Sequence, residues 1–281
     1  MEVPTTRPLT GIEVVSLAVN LPGPLAAARL AELGATVTKV EPPAGDPLAA
    51  AAPDWYAELV ASQRVVTLNV KGEGDRAELD RLLATANLLL TSMRPTALAR
   101  LGLARPQERF PRLSLIEIVG HEDDPEIPGH DLNYQAVHGT LTPPQLPTVP
   151  IADVLGAERA VATALAALVA RSKTGAGQSY RVALERAAAW AGQAVRHRLT
   201  GVGAVLGGAF PGYGIYECAD GFVALGAIEP HFFTGALAVF GVDGSHEGFA
   251  KAFADRTIAE LEAIAAREDL PLNGIRTDSG R

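Results

Sequence analysis

The sequence predicts a doubly wound, mostly parallel α/β domain followed by a smaller α+β C-terminal domain. Three observations carry this. Short β-branched or leucine-rich runs alternate with stretches of helical periodicity from residue 11 to residue 119. An irregular stretch rich in Gly, Pro, His and acidic residues, 120–149, ends the alternation. A glycine-rich stretch, 201–214, then sets the last part of the chain apart. Short strands separated by helices imply βαβ units and a parallel sheet covered on both faces. Ligands of such sheets bind beyond the carboxyl ends of the strands.

The elements follow in order. Residues 11–17 form an apolar strand, broken by Asn20-Leu21-Pro22-Gly23-Pro24. Residues 25–33 read as a helix with Gly34 as its C-terminal cap, and 35–40 as a strand closed by Pro42-Pro43. The pattern repeats as strand 64–70, helix 75–86, strand 87–91, helix 95–101 and strand 113–119. After the irregular stretch come a long helix at 156–172, ended by Lys173-Thr174-Gly175-Ala176-Gly177, and a helix at 183–198. A hairpin turning at Asp220-Gly221, a strand at 221–227 and helices at 230–240, 247–253 and 258–266 complete the chain. The expected organisation is a large Rossmann-like domain at 1–198, a linker at 199–214 and a small α+β domain at 215–281.

With 281 residues, 48% of them hydrophobic and 20% charged, the chain has ordinary globular composition and enough length for one large or two smaller cores. The net charge of −8 gives no general attraction to nucleic acid or to an anionic membrane. Cys218 is the single cysteine, so neither an intrachain disulfide nor a cysteine-based metal site is expected. With no basic-then-apolar leader in Met1–Thr5, the expected location is cytoplasmic. The Ala/Leu run at 157–170 is interrupted by Glu158 and Arg159, too short to span a bilayer, and reads as a core helix.

Several chemistries lack their motifs. There is no G-x-G-x-x-G after the first strand, no G-x-x-x-x-G-K-[ST] and no G-x-S-x-G, which disfavours dinucleotide binding, nucleotide hydrolysis and an α/β-type serine hydrolase. His121-Glu122-Asp123-Asp124 has no second histidine at helical spacing, so no metal is expected.

Three segments remain. In Gly129-His130-Asp131-Leu132-Asn133-Tyr134, the neutral pKa of an imidazole makes His130 a candidate acid or base, or else the segment is a capped surface loop. Asp153 ends the apolar run Val149-Pro150-Ile151-Ala152 at the start of the long helix, where it can be an N-cap or a reactive carboxylate. Glu229 follows the returning strand just before Pro230 and can orient a histidine or cap a helix.

Taken together these segments resemble CoA-transferase family III, the CaiB/BaiF-like family, and within it the α-methylacyl-CoA racemase branch. Residues 8–17, Leu30-Ala31-Glu32-Leu33-Gly34-Ala35 and Lys39-Val40-Glu41-Pro42-Pro43 match its first βαβ unit. Arg94-Pro95 with Leu101-Gly102-Leu103, and Lys173-Thr174-Gly175-Ala176-Gly177-Gln178, match further along, over about residues 8 to 270. The resemblance implies that Asp153 is the carboxylate that forms acyl anhydrides in the transferases and acts as acid/base in the racemases. It implies that His130 is the opposing base, with Asp131 and Glu229 hydrogen-bonding around the pair. Lys39, Arg64 and Arg94 then sit near the nucleotide end of CoA, and backbone N–H groups opening the helix after Asp153 stabilise an enolate.

The leading expectation is therefore racemisation or epimerisation of a 2-methyl-branched acyl-CoA thioester, with no cofactor beyond the CoA moiety and a homodimer, its subunits interlocked. The alternatives are CoA transfer between carboxylic acids through an Asp153 anhydride, and a non-catalytic CoA-binding or partner subunit. Departures from the family pattern mark a shortened, divergent member. Thr96, Arg181 and Arg186 stand at unusual positions, and the loop before His130 is short and carries Glu122, Asp123, Asp124 and Glu126.

Overall fold

The computed structural model describes residues 7–276. These divide into two compact units, one ending at Gly192 and the other beginning at Gln193. In chain order the first unit contains β1 (Glu13–Ser16), α1 (Pro22–Glu32), β2 (Thr36–Glu41), α2 (Pro47–Ala51), α3 (Pro53–Val60), β3 (Arg64–Thr67) and α4 (Glu73–Thr85). It continues with β4 (Leu88–Thr91), α5 (Pro95–Arg100), β5 (Ser114–Val119), α6 (Asp131–His138), α7 (Ile151–Thr174), β6 (Ser179–Ala183) and α8 (Leu184–Ala191).

The six strands pair in parallel in the order β3-β2-β1-β4-β5-β6, the doubly wound order that the alternation implied. Successive side chains of a strand point to opposite faces, and each face carries its own core. Val14, Leu88, Leu90 and Ile116 join the cluster that includes Ala26 and Leu30 of α1 and Ala160 and Ala164 of α7. Val15, Leu89 and Leu115 join the opposite cluster with Leu79 and Leu83 of α4 and Leu98 of α5. Being buried on both sides is why these strands read as continuous apolar runs rather than alternating ones.

Several elements differ from the sequence expectation. Helices α2 and α3 fill a stretch without periodicity; both open on a proline, and Asp46 caps α2 by accepting the Leu48 N–H at 3.0 Å. Strand β6, unanticipated, adds a sixth strand beside β5 directly after the glycine-rich end of α7. The expected helix at 183–198 is instead α8 followed by a separate short helix. The long helix starts at Ile151, five residues before its expected start, because its cap is not local: Pro150 offers no side-chain bond.

The second unit begins with α9 (Gln193–Arg196) and holds β7 (Tyr213–Cys218), β8 (Gly221–Gly226), α10 (Pro230–Phe240), α11 (His246–Ala254), α12 (Ile258–Glu268) and β9 (Leu272–Gly274). Its antiparallel sheet, in the order β7-β8-β9, buries Tyr216, Val223 and Leu225 against Phe240, Phe249 and Phe253. The hairpin pairs Cys218 with Gly221, as the turn signal suggested. The stretch 199–214 is tied by its own backbone bonds, such as Leu206 N–H to Leu199 O at 3.0 Å, through a non-helical turn at Val205–Ala209, and β7 starts inside it. Among the described residues no helix is long and apolar enough to cross a membrane.

Candidate active site

Between β1 and β4 the winding of the sheet reverses, and a ligand crevice is expected at that switch point. A cavity of about 240 Å³ lies there, within the first unit. Asn20 follows β1, Ser92 and Arg94 follow β4 and Gly120 follows β5, and His130 and Asp153 also line the cavity. The two residues singled out from sequence thus share one cavity.

Asp153 occupies the third position of α7, in its first turn, and not the N-cap. Capping is done by Asp131, the first residue of α6: its Oδ1 accepts the N–H of Ala152 at 2.7 Å and that of Asp153 at 3.3 Å. An anion at the positive end of a helix, bonded to otherwise unpaired N–H groups, is favourable on both counts. Asp153 itself is pushed up to about 7, first by burial and then by the neighbouring charge of Asp131. The helix-opening N–H groups expected to hold an enolate are therefore partly committed, since Ala152 and Asp153 donate to Asp131.

His130 is exposed and extended (φ −132°, ψ 169°) at the N-cap of α6, where Asn133 Oδ1 accepts its backbone N–H at 3.1 Å. Tyr134, to which the sequence alone assigned no role, also lines the cavity. It is buried, stacks edge-on to His121, and its phenol is pushed upward by burial and by the charges of Asp153 and Glu185. Its hydroxyl fits between two glycines: a Cβ on Gly120 would fall 2.4 Å from the Tyr134 oxygen, and one on Gly129 2.8 Å. The glycine before His130 is thus a socket for the tyrosine.

Of the three expected CoA-binding cations, only Arg94 lines the cavity; it is exposed and joins no ion pair among the described residues. Arg64 opens β3 at the sheet edge, level with Thr38, away from the cavity lining. Lys39 is fully buried: its ammonium meets Asp46 at 2.7 Å, Ala18 O at 3.0 Å and Glu41 at 3.6 Å. Asp46 in turn accepts the N–H of Asn20 at 3.0 Å, and Asn20 adopts a left-handed φ of 68°. Lys39 therefore anchors the β1–α1 turn that forms a cavity wall, and its charge is spent inside the protein instead of facing a phosphate.

The acidic loop before His130 is tethered. Glu122 meets Arg186 at 2.8 Å, and Glu126 accepts both the N–H of Thr96 (2.8 Å) and its hydroxyl (3.1 Å). Two of the unusual residues, Thr96 and Arg186, are the partners of this loop, so those departures form a matched set. Pro125, Ile127 and Pro128 of the loop line the cavity. Glu229 lies in the second unit, exposed at the N-cap of α10, where its side chain makes no cap bond.

The site is thus a cavity at the switch point of a doubly wound sheet, lined by the imidazole of His130 and the raised carboxyl of Asp153. Comparison with known proteins identifies the class: the model of CoA-transferase family III matches residues 9–278, and the chain belongs to that family. It is similar to cinnamoyl-CoA:phenyllactate CoA-transferase of Clostridium sporogenes, 34% identical over 142 residues that cover 45% of this chain and 34% of the relative. It is also similar to human alpha-methylacyl-CoA racemase, 29% identical over 287 residues, covering 90% of this chain and 73% of the relative. The matches to several curated CoA-transferases span only a third to a half of those proteins, from 34% to 49% of their length. The fold is shared with a CaiB/BaiF family protein from Brucella suis, at a TM-score of 0.80 and 24% identity, over 97% of this chain and 85% of that one.

Proposed function

We propose that this chain is an acyl-CoA isomerase that inverts the α-carbon of a 2-methyl-branched acyl-CoA thioester by proton transfer between His130 and Asp153. The observation that supports it is one cavity holding both an imidazole and a carboxyl pushed up to about 7. Inversion needs a proton removed from one face of the α-carbon and another delivered to the opposite face. In one direction the neutral imidazole takes the α-proton, leaving an enolate, and the protonated Asp153 gives its own proton to the other face. In the reverse direction the carboxylate is the base and the imidazolium the acid. With its carboxyl raised to about 7, Asp153 can serve as acid in one direction and base in the other at one pH. Asp131 keeps Asp153 in place, and its charge keeps the Asp153 proton from leaving at lower pH.

On this reading the CoA moiety is the only cofactor chemistry required, with Arg94 of the cavity lining available to its phosphates. Glu229 is assigned by family resemblance to the hydrogen bonding around the pair, and a homodimer is the expected assembly. A second reading draws support from relatives named as CoA-transferases. Asp153 attacks the thioester carbonyl and the CoA thiolate leaves; the thiolate then attacks the Asp153 carbonyl of the mixed anhydride and releases the first acid. The second acid's carboxylate displaces the thiolate from that Asp153 thioester, and the thiolate attacks the acyl carbonyl of the new anhydride, giving the new acyl-CoA and freeing Asp153.

The test is incubation of the protein with a chiral 2-methylacyl-CoA in D₂O. Deuterium at the α-carbon, falling by about 10²–10⁴-fold in His130→Ala and in Asp153→Ala, is the expected result. Transfer of CoA to an added carboxylate, with hydroxylamine-sensitive labelling of Asp153 and no α-exchange, selects the second reading. Neither activity, with CoA still bound, rejects both.

A further inference from the structure

Gln135 is buried on α6 one turn after Asp131, so both side chains share a helix face. All of its amide is used. The NH₂ group donates to Asp131 Oδ2 at 2.6 Å and to Val149 O at 3.1 Å, and the Oε1 accepts the Thr140 hydroxyl at 3.1 Å. A flipped amide would turn its oxygen onto two acceptors, so these contacts themselves decide its orientation. The residue ties α6 to both ends of the segment 140–149 that leads into α7.

We propose that Gln135 is a positioning residue for the carboxyl pair: it holds Asp131 on the N-terminus of α7 and so fixes where Asp153 presents its carboxyl to the cavity. The proposal rests on the reading of Asp153 as a proton-carrying group. Asp131 spends Oδ1 on the α7 N–H groups; Oδ2 is left to Gln135 in a buried site. A carboxylate oxygen without that donor is costly in such surroundings, and it turns away or gains a proton. Either change weakens the negative charge beside Asp153. The other titratable groups around the pair are His130 at the N-cap of α6, Tyr134 of α6, Glu185 of α8 and Arg94 of the cavity lining. None of these donates to Asp131.

The experiment follows the carboxyl of Asp153 by NMR pH titration of ¹³C-aspartate-labelled protein, its resonance assigned with Asp153→Asn. In Gln135→Met, similar in shape but without the amide, the Asp153 midpoint falls by about one pH unit. In Thr140→Val, which removes the hydroxyl's bonds to the Gln135 amide oxygen and to its backbone carbonyl, it falls in the same direction by less. The α-exchange rate drops with kcat rather than with KM, because ligand contacts are untouched. An Asp153 midpoint that stays put in whichever of the two variants folds overturns the proposal. The titration needs no turnover. A shifted midpoint in a chain that exchanges no α-proton rejects the isomerase reading and leaves the role of Gln135 standing.

Discussion

Asp153 is set against the stability of its own domain, and Asp153→Asn measures by how much. Its carboxyl moves from 3.8 in the unfolded reference to about 7 in the fold. A carboxyl raised in this way binds its proton more tightly when folded. Its contribution is therefore fully present below about pH 3.8 and is lost as the pH rises through 7. Three units correspond to a ceiling of about 4 kcal/mol at and above pH 7, and about 2.6 kcal/mol of that is lost between pH 5 and pH 8. Asparagine keeps the shape and carries no charge. It should gain about 2.6 kcal/mol over the natural residue at pH 8 relative to pH 5, and on the proposed isomerase reading α-exchange disappears. Urea denaturation of both proteins at the two pH values, monitored in the first unit, reads this directly. Equal stability differences at pH 5 and pH 8 would refute the reasoning, because the burial and the Asp131 charge would then not be acting on Asp153. A residue that costs stability in proportion to its elevated pKa is the signature expected of a functional carboxyl.

Three further outcomes test the site. Lys39→Met strands Asp46 without its cation in the interior and should cost about 3–5 kcal/mol in urea denaturation; a loss confined to CoA affinity would instead make Lys39 a ligand contact. In calorimetric titration with CoA, Arg94→Ala should weaken binding about tenfold, the worth of a charge-assisted bond, whereas Arg64→Ala, away from the cavity, should leave it unchanged. Gly129→Ala drives a methyl to 2.8 Å from Tyr134 and should destabilise by about 1–3 kcal/mol through overpacking, seen as a lower Tm and an altered tyrosine environment in near-UV circular dichroism.

Much of the first unit was legible because its strands carry their own signal. Val14, Val15 and Leu88–Leu90 are buried whichever face they point to, so the run is apolar whatever the register. The hairpin at Cys218–Gly221 was equally local, set by a short turn. Helix α7 shows the limit. Its first turn contains no capping side chain, and the apolar residues 149–152 look like the end of a strand when the cap lies some twenty positions upstream in α6. Strand β6 was missed for a related reason: its few residues gain their place by pairing with β5, not from any strong pattern of their own.

Periodicity along the chain was enough for the fold class and the parallel sheet, and the resemblance of whole segments to a known family was enough to single out His130 and Asp153. Only the tertiary structure decided what each charged residue does. Lys39 and Arg94 are both cations in loops or strand ends when read along the chain, yet one is locked to Asp46 inside the domain and the other faces the cavity. Asp131 and Asp153 are both carboxylates near helix starts, yet one caps the helix and the other, desolvated beside it, holds a proton near neutrality. The reason is physical: the energy of a charge is set by the dielectric and the partners around it. In this unit those surroundings are assembled from segments far apart in the chain.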